Sequence, residues 1–483
     1  MTPESLIAVA LVVPVGAAAL VAVSDKAPNL REACTLVAAA ILFVAVASLL
    51  PEVLTGGRPT LRLMDIFPGL ALEFSVEPFG LLFALIASGL WILSSLYSIG
   101  YMRGNDEAHQ TRFYVCFALA IACTIGVAFS GNLLSLFLFY ELLTLVTYPL
   151  VTHHGDDEAR RGGRTYIGVL LFTSTALLLP AIVLTWIFAG TLDFVPGGIL
   201  EGRASPFVAT VLLVLFMFGI GKAAIMPFHR WLPAAMVAPT PVSALLHAVA
   251  VVKAGVFSVV KIIVYVFGFD AAGANFAWLA YIAGFTILAA SVVALRADNL
   301  KRRLAYSTVS QLSYVVLAAA ILAPISMIGA ALHIAAHAFG KITLFFAAGA
   351  IYTACHKTKV SELDGVGRQM PWTLAAFAIA SLSMIGLPPT AGVLSKWFIV
   401  SGAVQTQQWV ALAVIMISTL LNAGYFVPIV YRAFMRDSST ADLVSGEAPW
   451  TMVVALVATA ALTVLLFFFA DIPLALARGL VGG

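Results

Sequence analysis

Basic side chains recur inside the apolar stretches of this sequence. Five lysines lie within such stretches: Lys222, Lys253, Lys261, Lys341 and Lys396. A charged side chain at the centre of a bilayer costs about 2.5–3.5 kcal/mol on insertion scales, so ionisable groups are kept there mainly where they have a function. Because lysine, histidine and glutamate can each gain or lose a proton, we expect these residues to form a path for protons at mid-membrane depth.

Glu141 lies in an earlier apolar stretch than Lys222 and carries the opposite charge. Burial disfavours the charged form of a lysine and a nearby carboxylate favours it, so a lysine between these influences changes protonation when its partner moves. If their helices are adjacent, Glu141 and Lys222 would make such a switch. The alternative is a buried ion pair with only a structural role.

His333, His337 and Lys341 follow one another at intervals of four residues, which places them on one face of a helix. Neutral imidazole both donates and accepts hydrogen bonds and titrates near neutral pH, so this stripe can pass protons. The acidic residue of a zinc-binding helix is missing, and we expect no metal. His247 and Lys253 lie six residues apart, so their side chains point to different neighbours.

Lys261 allows a structural interpretation as readily as a functional one. It lies about two turns beyond Lys253, toward the end of its predicted helix. A long side chain in that position can extend to the membrane interface and keep its charge in water.

The composition predicts a membrane protein made of helices. The chain is 62% hydrophobic and 10% charged, whereas about a quarter of the residues of a soluble protein are charged. Apolar runs of helical length recur throughout, which predicts an all-α bundle of about fourteen transmembrane helices. The four cysteines form no CxxC pair, and the sequence at 219–222 lacks the first glycine of a phosphate-binding loop. We therefore expect no cofactor and no nucleic-acid partner.

Lys and Arg are distributed unequally between the two sides of the predicted bundle. Outside the predicted spans, most Lys and Arg residues fall on one side of the bundle. The other side has only Arg58, Arg62, Arg203 and Arg478. By the positive-inside rule the rich side is cytoplasmic, so both termini lie outside the cytoplasm. The first apolar stretch lacks the basic start of a signal peptide, and we expect it to remain as the first helix of a bacterial inner-membrane protein.

Two predicted helices contain helix-breaking residues. The seventh is interrupted at Pro227, Pro239 and Pro241, and the twelfth at Gly386, Pro388 and Pro389. Because the breaks lie about five spans apart, we expect two inverted repeats of about five helices each. The predicted units are residues 1–108 (helices 1–3), 109–269 (first repeat, helices 4–8), 270–437 (second repeat, helices 9–13) and 438–483 (the C-terminal helix).

The motifs around these residues resemble those of one family. The stretches are Gly221–Pro233, Ala238–His247, Phe139–Leu142, His333–Lys341, and Gly386–Pro389 with Lys396. They are similar to the antiporter-like membrane subunits of complex I, membrane-bound hydrogenases and Mrp-type Na⁺/H⁺ antiporters. Lys396 is typical of the Mrp D subunit, whereas the surroundings of His247 are closer to those of the complex I and hydrogenase relatives.

The resemblance implies a role for each ionisable residue. Glu141 and Lys222 would form a modulating pair, and Lys396 would be the terminal proton site. The connecting relay would consist of Lys253, His333, His337 and Lys341. His247 is a further candidate for proton translocation. Other membrane subunits would be partners. The expected function is proton translocation within a multisubunit Na⁺/H⁺ antiporter, and the alternative is a pumping subunit of complex I or a hydrogenase.

Overall fold

The computed structural model describes residues 1–67, 69–269, 276–437 and 446–482. Its first half contains the helices α1 (Pro3–Val23), α2 (Pro28–Ala47), α3 (Leu50–Leu54), α4 (Pro78–Gly104), α5 (Gln110–Ala128), α6 (Leu133–Val151), α7 (Asp157–Thr173), α8 (Leu179–Ala189), α9 (Pro206–Gly219), α10 (Trp231–Ala234), α11 (Thr240–Ala244) and α12 (Val251–Ile262). The second half contains α13 (Ala277–Arg296), α14 (Leu300–Ala320), α15 (Pro324–Cys355), α16 (Val366–Gln369), α17 (Pro371–Ile385), α18 (Ala391–Gln405), α19 (Trp409–Met435), α20 (Trp450–Phe468) and α21 (Asp471–Gly479).

The structure confirms a polytopic helical membrane protein. In the described residues, 11 helices are long and apolar enough to cross a membrane. Two shorter apolar helices, α9 and α17, adjoin the predicted breaks. The predicted unit boundaries at 270 and 438 lie outside the described residues. The unit predicted as one C-terminal helix, 438–483, contains two described helices, α20 and α21.

A small hairpin was not predicted. The strands β1 (Thr60–Phe67) and β2 (Leu70–Ser75) pair antiparallel between α3 and α4. Apolar residues alternate with small or polar ones along β2, the pattern of a half-buried strand. The expectation of a purely helical chain overlooked this alternation because the stretch is short.

The first break begins at the end of α9. The helix stops at Gly219, and a single 3₁₀ turn, Gly221–Ala223, carries Lys222 within the break. Pro227 lies in the non-helical segment that follows. Pro239 and Pro241 do not interrupt this helix, contrary to the prediction: they lie at the start of α11, where a proline's missing N–H costs nothing.

The second break separates α17 from α18. Gly386 follows α17 with φ of 91°, a conformation that glycine adopts without strain. A Cβ at this position would also lie 2.6 Å from Cδ of Lys396. Any larger residue here would therefore displace the lysine from the break.

The most buried helices occupy the centre of the bundle. The stretch Thr240–Phe267, which includes α12, has a fully buried core segment, and α15 is nearly as buried. α15 packs against α4, α14, α17, α18 and α20. A helix that is apolar on all sides suits such a position. The ionisable residues of α12 and α15 are therefore enclosed by protein.

Candidate functional site

Lys222 is held by α6 from inside the first break. Its Nζ donates to the carbonyl oxygen of Tyr140 at 2.7 Å and to Oγ1 of Thr144 at 2.6 Å. The same nitrogen lies 3.2 Å from the centroid of the Tyr140 ring. Lys222 is fully buried, so these contacts replace water around its amine.

Glu141 is next to this site but forms no ion pair with Lys222 in the described residues. Its side chain is half-buried, and one carboxylate oxygen is buried without a hydrogen-bond partner in the described structure. The two residues lie on adjacent segments, since Tyr140 precedes Glu141 and bonds Lys222. The structure thus brings the predicted pair close together, with oxygen atoms of α6 holding the lysine.

The central contact joins α12 to α15. Nζ of Lys253 and Nδ1 of His337 form a hydrogen bond, and both residues are buried. His247, also fully buried, stacks obliquely against Phe345, and both of its ring nitrogens are without a partner in the described structure. Neutral imidazole nitrogens can each take or give a hydrogen bond, so His247 keeps that capacity.

The histidine stripe leads toward α18. The rings of His333 and His337 lie 6.1 Å apart, and Nδ1 of His333 lies 2.9 Å from Oγ of Ser395. Ser395 directly precedes Lys396 in the chain. Lys253, His337 and His333 therefore form a series of buried titratable groups that ends beside Lys396.

Lys341, the third member of the stripe, contacts α14 instead. Its Nζ donates to Oγ of Ser307 at 2.7 Å and to the carbonyl oxygen of Leu304 at 3.3 Å. The ring of Phe426 lies 5.5 Å away. Although Lys341 shares a helix face with the histidines, its side chain is bonded to a different neighbour.

Lys396 reaches back to the second break. Its Nζ donates to the carbonyl oxygens of Met384 and Ile385, at 3.0 and 2.7 Å. These carbonyls end α17, where the last turn of a helix has no intrahelical donors and carries partial negative charge. The break therefore supplies the acceptors for the ammonium. Nζ of Lys396 also lies over the ring of Tyr314, 5.0 Å from the ring centroid.

Lys261 does not extend to the interface, contrary to one of the two interpretations of its position in the sequence. Its side chain is 1% exposed, and its Nζ lies 2.8 Å from the carboxylate of Glu77, which precedes α4. It also donates to the carbonyl oxygen of Ser130 at 2.7 Å. A nearby carboxylate stabilises the buried ammonium in place of solvent.

Several polar partners were not predicted from the sequence. They are Glu77, Tyr140, Thr144, Ser307, Tyr314, Ser395, Asn422 and Tyr425. Asn422 and Tyr425, three residues apart in an apolar helix, gave a detectable signal, because polar groups in such helices face the bundle interior. Hydroxyl groups of serine and threonine gave none, since they are common in membrane helices and usually bond their own backbone.

Residues 130–422 match the family described as NADH:quinone oxidoreductase/Mrp antiporter, transmembrane. This range includes all nine ionisable residues that the sequence analysis singled out in apolar stretches, from Glu141 to Lys396. The chain belongs to this family of antiporter-like membrane proteins.

Curated relatives come from both branches of the family. The chain is 32% identical to the N subunit of NADH-quinone oxidoreductase of Desulforudis audaxviator over 83% of its own length and 80% of that protein's. It is 34% identical to the A/B subunit of a probable K⁺/H⁺ antiporter of Rhizobium meliloti over 76% of this chain, which is 37% of the relative. Against the A1 subunit of the Na⁺/H⁺ antiporter of Staphylococcus aureus the identity is 31%, over 74% of this chain and 46% of that one. The chain thus spans less than half of these antiporter relatives.

Solved structures share the whole fold. A chain of the Mrp complex from Dietzia sp. DQ12-45-1b superposes with a TM-score of 0.89 at 20% identity, covering 100% of this chain and 97% of that one. A chain of the membrane-bound sulfane sulfur reductase, an archaeal respiratory membrane complex, gives 0.85 at 22% identity, covering 98% and 96%. At these identities the likeness concerns the fold.

Proposed function

We propose that this chain is the proton-translocating subunit of a multisubunit monovalent cation/proton antiporter, with Na⁺ as the coupled cation. The observation that carries the proposal is the buried series from Lys253 through His337 and His333 to Ser395, beside Lys396. Each titratable member can exchange a proton with a hydrogen-bonded or closely placed neighbour. A scaffold without transport would gain nothing from so many enclosed basic groups.

Each residue has a separate role in this proposal. Lys222 loads and unloads a proton under the influence of Glu141, while Thr144 and Tyr140 hold it in place. Lys253, His337 and His333 transfer protons between the two halves of the chain, with His247 and Lys341 beside them. Lys396 is the terminal site, because the break gives its amine both carbonyl acceptors and a route out of the helix core.

The transmembrane architecture is part of the proposal. We infer about fourteen spans in two inverted repeats of about five helices, residues 109–269 and 270–437, flanked by 1–108 and 438–483. The support is that α9 and α17 each end in a break that holds a lysine amine, Lys222 and Lys396. The excess of Lys and Arg on one side supports a bacterial inner-membrane protein with both termini outside the cytoplasm.

The partners in this proposal are other membrane subunits. The structural relatives come from an Mrp complex and a respiratory membrane complex. Lys396 at the second break favours the Mrp D subunit within the family. The coupled reaction would take place with partner chains, because this chain supplies only the proton path.

The second candidate is the proton-pumping subunit of a complex I-type oxidoreductase or a membrane-bound hydrogenase. It is favoured by the similarity to the N subunit of NADH-quinone oxidoreductase, because the matched region covers 80% of that protein. The subunits that purify with the native complex distinguish the two candidate functions. Iron–sulfur or flavin subunits in the complex would support the redox pump, and membrane subunits without redox centres would support the antiporter.

Proton transport is tested with the variants Glu141→Ala and Lys222→Ala in everted vesicles. We expect each variant to insert and assemble but to lose most of its proton flux, because the remaining charge would lose the partner that lets it switch. The matched control is Glu52→Ala, which removes an exposed carboxylate in α3. Wild-type flux in both site variants would refute the proposal.

A further inference from the structure

A second line of hydrogen bonds leaves Lys341 and ends at the acceptor of Lys396. Lys341 bonds Oγ of Ser307 at 2.7 Å, and Ser307 lies 3.0 Å from the hydroxyl of Tyr425. The Tyr425 hydroxyl bonds Oδ1 of Asn422. Nδ2 of Asn422 then donates to the carbonyl oxygen of Met384 at 3.3 Å, the atom that also accepts from Lys396.

The direction of these bonds follows from counting hydrogens. The Met384 carbonyl can only accept, so the amide of Asn422 must face it with its nitrogen and face Tyr425 with its oxygen. Tyr425 therefore uses its one hydrogen on Asn422, and Ser307 must donate to Tyr425. The hydroxyl of Ser307 then accepts from Lys341, so every bond points from Lys341 toward the break.

The protonated form of Lys341 permits only this direction at Ser307, whereas the neutral form permits either direction. An ammonium group has three donors and no acceptor, whereas a neutral amine has a lone pair that can accept from Ser307. Once Ser307 turns toward Lys341, Tyr425 can donate to Ser307 and release Asn422. No proton passes the amide of Asn422 in this process, because each group keeps its own hydrogen and only rotates.

At the far end of the line, three donors share one acceptor, the carbonyl oxygen of Met384. The Met384 carbonyl oxygen receives Nζ of Lys396 at 3.0 Å, Nδ2 of Asn422 at 3.3 Å and Nε2 of Gln311 at 3.4 Å. A carbonyl oxygen has two lone pairs, so three donors compete for it. A firmer bond from Asn422 weakens the bond to Lys396, and a looser one strengthens it.

We propose that Ser307, Tyr425 and Asn422 transmit the protonation state of Lys341 to Lys396, with Tyr425 as the positioning residue between them. This inference rests on the proposed function and adds to it a route that bypasses the histidines. All three side chains are fully buried, so solvent does not compete for their hydrogen bonds. Protonated Lys341 loosens the hold on Lys396, which favours proton release there.

Other charged and titratable groups face the two lysines. Lys253, His247 and His337 lie within electrostatic reach of Lys341. His333 and Tyr314 face Lys396. These groups act through space whether or not the Tyr425 hydroxyl is present, so removal of that hydroxyl isolates the contribution of the bonded line.

The test is Tyr425→Phe in the assembled complex, which keeps the ring and removes the hydroxyl. We expect proton flux to fall about fivefold or more, in line with typical coupling between sites. The flux–pH profile should also become narrower, because the two lysines no longer oppose each other's protonation through the line. Tyr166→Phe is the matched control, since its buried hydroxyl bonds Thr147 at 2.6 Å and, among the described residues, no lysine.

A second variant keeps the test decisive if Tyr425→Phe assembles poorly. Ser307→Ala breaks the same line at another bond, and the double variant should be no worse than the more damaged single variant. If the flux losses of the two single variants multiply in the double variant, the inference is overturned. It is also overturned if both single variants keep the flux and pH profile of the wild type while Lys341→Ala and Lys396→Arg are inactive. If those two lysine variants transport normally, the proposed function fails and this inference fails with it.

Discussion

Nζ of Lys222 lies 2.6 Å from Oγ1 of Thr144, across the contact between the first break and α6. The two other close contacts of the amine are also with α6, the carbonyl oxygen and the ring of Tyr140. Because Lys222 is fully buried, its charged form depends on these groups. The position of α6 relative to the break therefore affects the ease with which Lys222 holds a proton.

Thr144→Val should reduce proton flux while the protein still assembles. The substitution preserves the shape of the side chain and removes the hydroxyl, so the Lys222 ammonium loses an acceptor worth about 1.5–3 kcal/mol as a bond to a charged group. Thr144→Ser should restore most of the flux, because it restores the oxygen. The measurement is proton uptake by everted vesicles at equal amounts of assembled protein.

Thr147→Val is the control for this change. Thr147 is one turn away on the same helix and is equally buried, but it bonds Tyr166 and the helix backbone. We expect near-normal flux in that variant. Equal flux in Thr144→Val and the wild type would show that the hydroxyl has no part in holding Lys222.

The ionisable residues could be identified from the sequence because each is costly in an apolar helix. That cost singled out Lys222, Lys253, Lys341 and Lys396 before their contacts were known. The spacing of His333 and His337 likewise placed both rings on one face of α15. The membrane class and the two broken helices followed from composition and from proline and glycine.

The partners of these residues could not be identified in the same way. The sequence favoured Glu141 as the partner of Lys222, whereas the amine bonds Thr144 and the carbonyl oxygen of Tyr140. Backbone acceptors are set by where a helix ends, and a boundary that is uncertain by a turn hides them. Glu77 was overlooked because it lies before α4, far in sequence from Lys261.

The buried pair of Glu77 and Lys261 should contribute to stability rather than to transport. Glu77→Met removes one charge and leaves the other enclosed, which we expect to cost about 3–5 kcal/mol. The double variant Glu77→Met, Lys261→Met should recover most of the loss, since an apolar pair replaces both charges. Apparent melting temperatures of the purified complex provide the comparison. A single variant as stable as the wild type would contradict this assignment.

The pair of His154 and Glu107, which lies outside the predicted spans, should make stability depend on pH. Nε2 of His154 lies 3.3 Å from the Glu107 carboxylate, whose hydrogen bond raises the pKa of His154 above its usual 6.5. The stabilisation is complete below the unfolded pKa and is lost as pH rises through the folded pKa. The difference in melting temperature between wild type and Glu107→Gln should therefore be largest near pH 6 and smaller near pH 9.

His153 does not contribute to the pH dependence of this difference in melting temperature. Burial lowers its pKa to about 4, so it stays neutral throughout that range. In a His154→Gln background, Glu107→Gln should have an effect that no longer varies with pH in this interval. A difference that stays constant from pH 6 to 9 in the original background would refute the role of His154.

Lys396→Arg should abolish proton flux although it keeps the positive charge. Guanidinium stays protonated at any working pH, so it cannot give up a proton at the terminal site. Its planar group also fits poorly between the carbonyl oxygens of Met384 and Ile385, which the ammonium contacts at 3.0 and 2.7 Å. The control is Lys359→Arg, an exposed lysine beside Glu362, which should transport normally. Both variants are compared as flux per assembled complex between about pH 6 and 9, a range in which arginine keeps its proton throughout. Restored flux in Lys396→Arg at any pH in this range would show that position 396 needs only a fixed charge.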